Sequence, residues 1–228
     1  MSENLKYFIM ILMEISALCV ALPIHEWAHA FVAYKQGDPT AKVMGRMTPA
    51  AFAHFDIFGF VCLYIFGFGW AKPVPVDYRN FKNQKKSGFL VAIAGITANL
   101  LMGIIFIAIY SALNTFVPNY VANWGAYGLA LNYFLIFSVQ INFMLFFFNI
   151  LPIYPLDGFR VVETFSKPGN KTVEMLKRYS FIILLIFIIV IHYYDFYFSN
   201  TAYRVMNGLE TLFNKFFALF VRWWDGRK

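Results

Sequence analysis

The chain has 228 residues, of which 60% are hydrophobic and 21% aromatic, while only 14% are charged. A water-soluble domain of this length could not hide that much apolar surface, so the composition excludes a soluble globular enzyme and predicts a polytopic membrane protein. The net charge of +7 is spread along the chain with no soluble domain to carry it, which argues against nucleic-acid binding.

The first apolar segment, Leu5–Tyr34, predicts span one. It is not read as a cleavable leader, because it holds the most unusual motif of the chain, "HEWAH", residues 25–29. A mixed loop, Lys35–Phe55, follows. The next apolar piece, Ile57–Ala71, has only 15 residues and carries Gly59, Gly67 and Gly69. That is short for a span and predicts a re-entrant or interfacial element packed against protein. Its glycines and short length suggest a strand edge that could receive an extended peptide. "KPVPV", residues 72–76, predicts extended chain, since each proline biases its predecessor away from helix.

From Ser87 to Leu156 there is no Asp, Glu, Lys, Arg or His, a run of 70 residues. It holds span two, Gly88–Leu113, and span three, Gly128–Ile150, joined by an uncharged linker. Pro152 and Pro155 stop the third span. Val161–Tyr179 is polar and predicted partly helical, and Ser180–Tyr194 is span four. In Tyr203–Trp224 the polar residues recur three or four apart, which predicts an amphipathic helix lying in the interface. The fold class expected is therefore an all-α polytopic membrane protein. It has about four transmembrane helices, a short Gly-rich re-entrant or β element, and a C-terminal amphipathic helix. Residues 1–200 form the core and 201–228 the tail. Cys19 and Cys62 lie in separate apolar segments and read as small buried hydrophobes.

Orientation follows from the basic residues. Lys72, Arg79, Lys82, Lys85 and Lys86 precede span two, and Arg160, Lys167, Lys171, Lys177 and Arg178 follow span three. The linker between those spans has none. The positive-inside rule places both basic loops in the cytoplasm, and with them the ends of spans one and three.

His25 and His29 are four residues apart, so a helix puts both imidazoles on one face. Two neutral nitrogens at that spacing can ligate one zinc ion, and Glu26 beside them can take a proton from a bound water. Charged groups inside a membrane helix cost about 2.5–3.5 kcal/mol on insertion scales, which makes a chance cluster hard to sustain. A catalytic zinc needs a third protein ligand. Asp157 leads, as the first charged residue after the 70-residue gap and on the same membrane face. An Asp-Gly turn with no metal role reads almost as well. Glu14 and His54 compete. Glu14 lies three helical turns before His25, roughly 16 Å away, and His54 sits at a loop end.

"HEWAH", "FGWAKPVPVDYRNF", "AGITAN" and "NILPIYPLDGFR", taken in order, resemble the site-2 protease family of intramembrane zinc metalloproteases. The resemblance runs from about residue 20 to residue 165. It implies that His25, His29 and Asp157 bind one zinc ion per chain and that Glu26 is the catalytic acid/base. The family's N-x-x-P-x-x-x-L-D-G pattern falls on Asn149, Pro152, Leu156, Asp157 and Gly158. Its Gly-Pro-x-x-Asn element falls on Gly95 to Asn99, with Ile96 where the proline stands. Asn99 and Asn149 are thereby placed near the site, as substrate-binding or structural residues; for Asn99, interhelical hydrogen bonding is an equal alternative.

The resemblance further implies a minimal core without PDZ or CBS domains, in a bacterial cell membrane, with its active site toward the cytoplasm. The partners implied are membrane lipid and a transmembrane substrate: an anti-sigma factor, a membrane-bound regulator or a remnant signal peptide. A metal carrier would need polar groups along a path through several spans, and spans two and three carry no charge. An inactive binding module would not need His25, Glu26, His29 and Asp157 intact.

Overall fold

The computed structural model describes residues 1–66, 69–167, 169–193, 204, 207–219 and 222. Among these, every regular element is a helix and no strand occurs. Helix α1 spans Glu3–Lys35, α2 Thr40–Val43, α3 Ala51–His54 and α4 Ile57–Phe66. A 3-10 turn at Tyr78–Asn80 leads into α5, Gln84–Phe116, followed by α6, Tyr120–Trp124, and α7, Ala126–Asn149. Helices α8, Asp157–Phe165, α9, Lys171–Arg178, and α10, Ser180–Tyr193, follow. Residues 207–219 are helical, inside the segment expected to form an amphipathic helix.

Among the described residues, three helices are long and apolar enough to cross a membrane: α1, α5 and α7. They correspond to the first three predicted spans. At 33 residues each, α1 and α5 are roughly 50 Å long, well beyond a hydrocarbon core of about 30 Å. The fourth predicted span corresponds to α10, whose described part has 14 residues; Tyr194 lies outside the described residues. The exposed side chains reverse the pattern of a soluble protein. Leu5, Phe8, Leu12 and Ile15 form one exposed apolar stripe on α1, and Leu101, Ile105 and Ile109 form another on α5.

The chain divides into two compact units. One comprises residues 1–18, 100–144 and 194–228. Within it Gly103 packs against the Phe143 ring, and Tyr120 donates its hydroxyl to Asn132 at 2.8 Å. The other comprises residues 19–99 and 145–193 and contains every candidate site residue that the motifs single out. Its small clusters pack the C-terminal half of α1 against the chain that follows. Ala30, Ala41 and Val74 are buried together, as are Ala33, Phe81 and Val91.

One expectation is corrected here. Ile57–Phe66 is helical, so it offers no strand edge to a substrate. The physical reason is local. A short apolar run satisfies its own N–H and C=O groups by coiling, which a lone strand in an apolar setting cannot do. Asp56 starts the helix, its Oδ1 accepting from Gly59 N–H at 2.8 Å. The prolines' exclusion of helix from residues 72–76 holds, since no helix forms between Gly69 and Asp77.

That extended segment is fastened by Asp38. Its carboxylate, 1% exposed, accepts from Asp77 N–H and Asn80 Nδ2 at 2.8 Å each, and from the backbone and hydroxyl of Thr40. Burial works to raise this carboxyl, but the four donors win and hold it below the usual carboxylate range. The sign of the linkage follows. A depressed folded-state value means that the stabilisation is complete above the unfolded value of about 3.9 and is lost as pH falls through the lower folded one. Asp38→Ala should therefore lower the apparent melting temperature in detergent at pH 7, by a loss of about 1.5–3 kcal/mol. The gap between wild type and variant should narrow below about pH 4; an equal gap at pH 7 and pH 3 would count against the ionised carboxylate as its source.

Candidate metal centre

The sequence sets two of the three donors by spacing alone. His25 and His29 fall one turn apart on α1, their rings edge to face with centroids 4.7 Å apart. Pro23, two residues earlier, lies inside the same helix. Asp157 opens α8, directly after the proline-broken end of α7. A carboxylate in the first turn is favoured by the helix dipole. Gly158, whose freedom would also permit a tight turn, is helical. It is needed for a close approach, because a Cβ there would lie 2.3 Å from the Ile150 carbonyl oxygen and 2.5 Å from that of Leu151. The glycine lets the start of α8 lie against the end of α7, which brings Asp157 to the histidines.

The three donor atoms converge. His25 Nε2 and His29 Nε2 are 3.1 Å apart, and Asp157 Oδ2 lies 3.1 Å from the first and 3.0 Å from the second. All three residues are buried, at 6–7% exposed. Among the described residues they are the group of side chains placed to hold a metal ion. His54 is buried elsewhere, its Nε2 donating to the Thr48 carbonyl at 2.7 Å, and neither it nor Glu14 belongs to the cluster.

What lies behind the histidines decides what their front can do. His29 Nδ1 faces the Val91 carbonyl at 2.7 Å, and His25 Nδ1 faces Asn99 Oδ1 at 2.5 Å. Both partners are acceptors, so both Nδ1 atoms carry the proton. In neutral rings each Nε2 then presents a lone pair. Two lone pairs and a carboxylate oxygen meet at about 3 Å, a repulsive arrangement unless a cation sits among them. Asp157 adds a carboxylate oxygen to the two imidazole nitrogens. Two imidazole nitrogens and one carboxylate oxygen form a catalytic zinc donor set that leaves a fourth position open. A tetrahedron drawn at zinc–nitrogen distances of about 2.0–2.1 Å has edges of about 3.3–3.4 Å, close to the spacing found. The residues fit the ion.

Asn99 is 0% exposed and orients His25 from behind, the kind of outer partner that metal-bound histidines use. Asn149 donates to the Leu145 carbonyl one turn back in its own helix, at 3.0 Å. Glu26 accepts from the Val74 N–H at 2.8 Å through Oε2. Arg160, one turn after Asp157, places Nε 3.9 Å from Asp157 Oδ1 and Nη1 3.5 Å from the Tyr78 hydroxyl.

Sequence reasoning missed the role of Gly95. A Cβ on this residue would lie 2.4 Å from His29 Nε2 and 2.6 Å from His25 Nε2, at the donor atoms themselves. Ile96, standing where the resembled motif has proline, is 6% exposed inside an unbroken α5. The departure therefore leaves α5 regular around Gly95 and Asn99.

Comparison with known proteins gives the family. The sequence model of Peptidase family M50 matches residues 113–191, which include Asp157. The chain is 39% identical over 170 residues to YwhC of Bacillus subtilis, covering 74% of this chain and 76% of that protein. It is 28% identical over 189 residues to Rip2 of Mycobacterium tuberculosis, covering 81% and 69%. To Rip2 of Mycolicibacterium smegmatis it is 27% identical over 192 residues, covering 81% and 70%. All three are named as candidate zinc metalloproteases. No solved structure gives a significant match.

Proposed function

Because this chain belongs to peptidase family M50 and is a zinc metalloprotease of the membrane, we propose that it cleaves peptide bonds in or near the transmembrane segments of membrane proteins. The observation that carries the reading is the buried triangle of His25, His29 and Asp157, whose outward Nδ1 bonds leave three donor atoms facing one point. One zinc ion per chain is held there. When bound, it supplies a Lewis acid that acidifies water and polarises a peptide carbonyl.

The protein's own groups do the rest. Asn99 and the Val91 carbonyl keep each imidazole in the tautomer that ligates. Glu26 accepts the proton of the attacking water and returns it to the departing amine nitrogen. A helical substrate hides its carbonyls in its own hydrogen bonds, so the scissile stretch must unwind before it can react. The basic residues flanking spans two and three support an active site on the cytoplasmic side. Anti-sigma factors, membrane-bound regulators and remnant signal peptides are the substrates compatible with the family.

The test is metal removal from the full chain reconstituted in lipid vesicles with a fluorogenic single-span reporter peptide. Zinc analysis should find one ion per chain. Dialysis against a chelator should reduce cleavage at least a hundredfold, and added zinc should restore it. Cleavage that persists in metal-free vesicles would sink the proposal.

A further inference from the structure

The extended segment 72–77 touches Glu26, and its own backbone is held from several sides. Val74 N–H donates to Glu26 Oε2 at 2.8 Å. Two residues earlier, Arg46 Nη2 donates to the Lys72 carbonyl at 2.8 Å and to the Pro73 carbonyl at 3.3 Å. Lys72 N–H donates to the His54 carbonyl at 2.8 Å, which ties the segment to the end of α3. At its other end Asp77 N–H is held by Asp38. Val74 itself is 8% exposed and packs with Ala30 of α1 and Ala41 of α2.

Each tie constrains the same coordinate. Pro73 and Pro75 fix their own φ and lack N–H groups, so between residues 72 and 77 few donors exist to hold the strap in register. A slip of one residue would present a proline, with no donor, where Val74 N–H now meets the carboxylate. Arg46 reads the register directly, since one guanidinium nitrogen bridges two successive carbonyls on the N-terminal side of Val74.

We infer that Arg46 is a positioning residue, which aims the Glu26 carboxylate by fixing the strap that carries Val74 N–H. With Oε2 engaged by Val74 N–H, Oε1 is the oxygen left for proton transfer. This rests on the reading of Glu26 as the proton carrier. No contact between Arg46 and zinc or substrate is needed. The sequence alone could not suggest it, because the contacts are to backbone carbonyls and the residue sits in an unremarked loop.

The test uses the full-length protein in lipid vesicles, with two readouts. Amide hydrogen exchange over 72–77 reports the strap, and the fluorogenic single-span peptide reports kcat and KM separately. Arg46→Ala should raise exchange over 72–77 at least tenfold and lower kcat about 10- to 100-fold. KM and zinc content should be unchanged, because misplacing a catalytic group by about 1 Å acts on the reaction step. Arg46→Lys, which can still donate to both carbonyls, should recover most of both. Ser87→Ala is the control. It deletes a buried side-chain contact to Gln36 at 3.0 Å that touches neither strap nor site, and it should leave kcat within twofold.

Unchanged exchange in Arg46→Ala would overturn the inference, as would faster exchange with unaltered kcat. If Arg46→Ala loses zinc, the lysine variant decides: failure to recover kcat overturns the inference. The underlying reading fails separately, by Glu26→Gln retaining cleavage, and the exchange readout does not depend on that result.

Discussion

Glu26→Gln is expected to lower cleavage about 10²–10⁴-fold while leaving one zinc ion per chain. The substitution keeps the shape of the side chain. Its amide oxygen can still accept from Val74 N–H, now 2.8 Å from Oε2, so the strap and α1 have no reason to move. What it removes is the capacity to take up a proton. The donor atoms His25 Nε2, His29 Nε2 and Asp157 Oδ2 are untouched, as are the bonds from Asn99 and Val91 that orient the rings. Zinc analysis and a cleavage assay on the same preparation therefore separate the two contributions. Loss of both zinc and activity would place Glu26 among the structural supports of the metal. Wild-type cleavage would remove it from the mechanism altogether.

Much of this site could be read from the chain because its chemistry is carried by side chains in unusual company. Histidines four apart in an apolar helix, and one aspartate after a long uncharged run, are visible without coordinates. The three long spans are likewise set by apolar length, and the structure gives α1, α5 and α7 in the predicted order. The rest depends on backbone or on register between elements. Val91 orients His29 through its carbonyl, which any residue type would supply. Val74 meets Glu26 through its N–H, which any residue except proline would supply. For Ile57–Phe66 the apolar pattern does not distinguish helix from strand, and the closing of backbone hydrogen bonds within the segment decides for the helix. The motif alone places Asn99 near the site. Only the packing of α5 on α1 shows that it faces the back of His25 and not the metal side.

Gly95→Ala is expected to abolish zinc binding, and with it cleavage, although alanine is the better helix former by about 1 kcal/mol. The added methyl would stand 2.4 Å from His29 Nε2, 2.5 Å from His25 Cε1 and 2.6 Å from His25 Nε2. These distances are too short for any real contact, so either α5 or the imidazoles must give way. Helix α5 is not free to retreat. Val91, one turn before Gly95, holds His29, and Asn99, one turn after it, holds His25. Backing away would break both bonds and leave each ring unoriented. Turning the rings instead would carry both Nε2 atoms off the point they share with Asp157. Either route dismantles the donor triangle, and loss of outer support alone typically costs 10- to 100-fold in metal affinity.

The matched comparison is Gly103→Ala on the same helix, where the three atoms nearest the methyl would all belong to the Phe143 ring, the first at 3.1 Å, a side chain that can yield a few tenths of an ångström. Both variants make the same chemical change in α5. Zinc lost in Gly95→Ala and kept in Gly103→Ala would assign the effect to the site. Retention of one zinc ion in Gly95→Ala would show that the histidines ligate from another direction, and the convergence of His25, His29 and Asp157 on one ion would have to be abandoned.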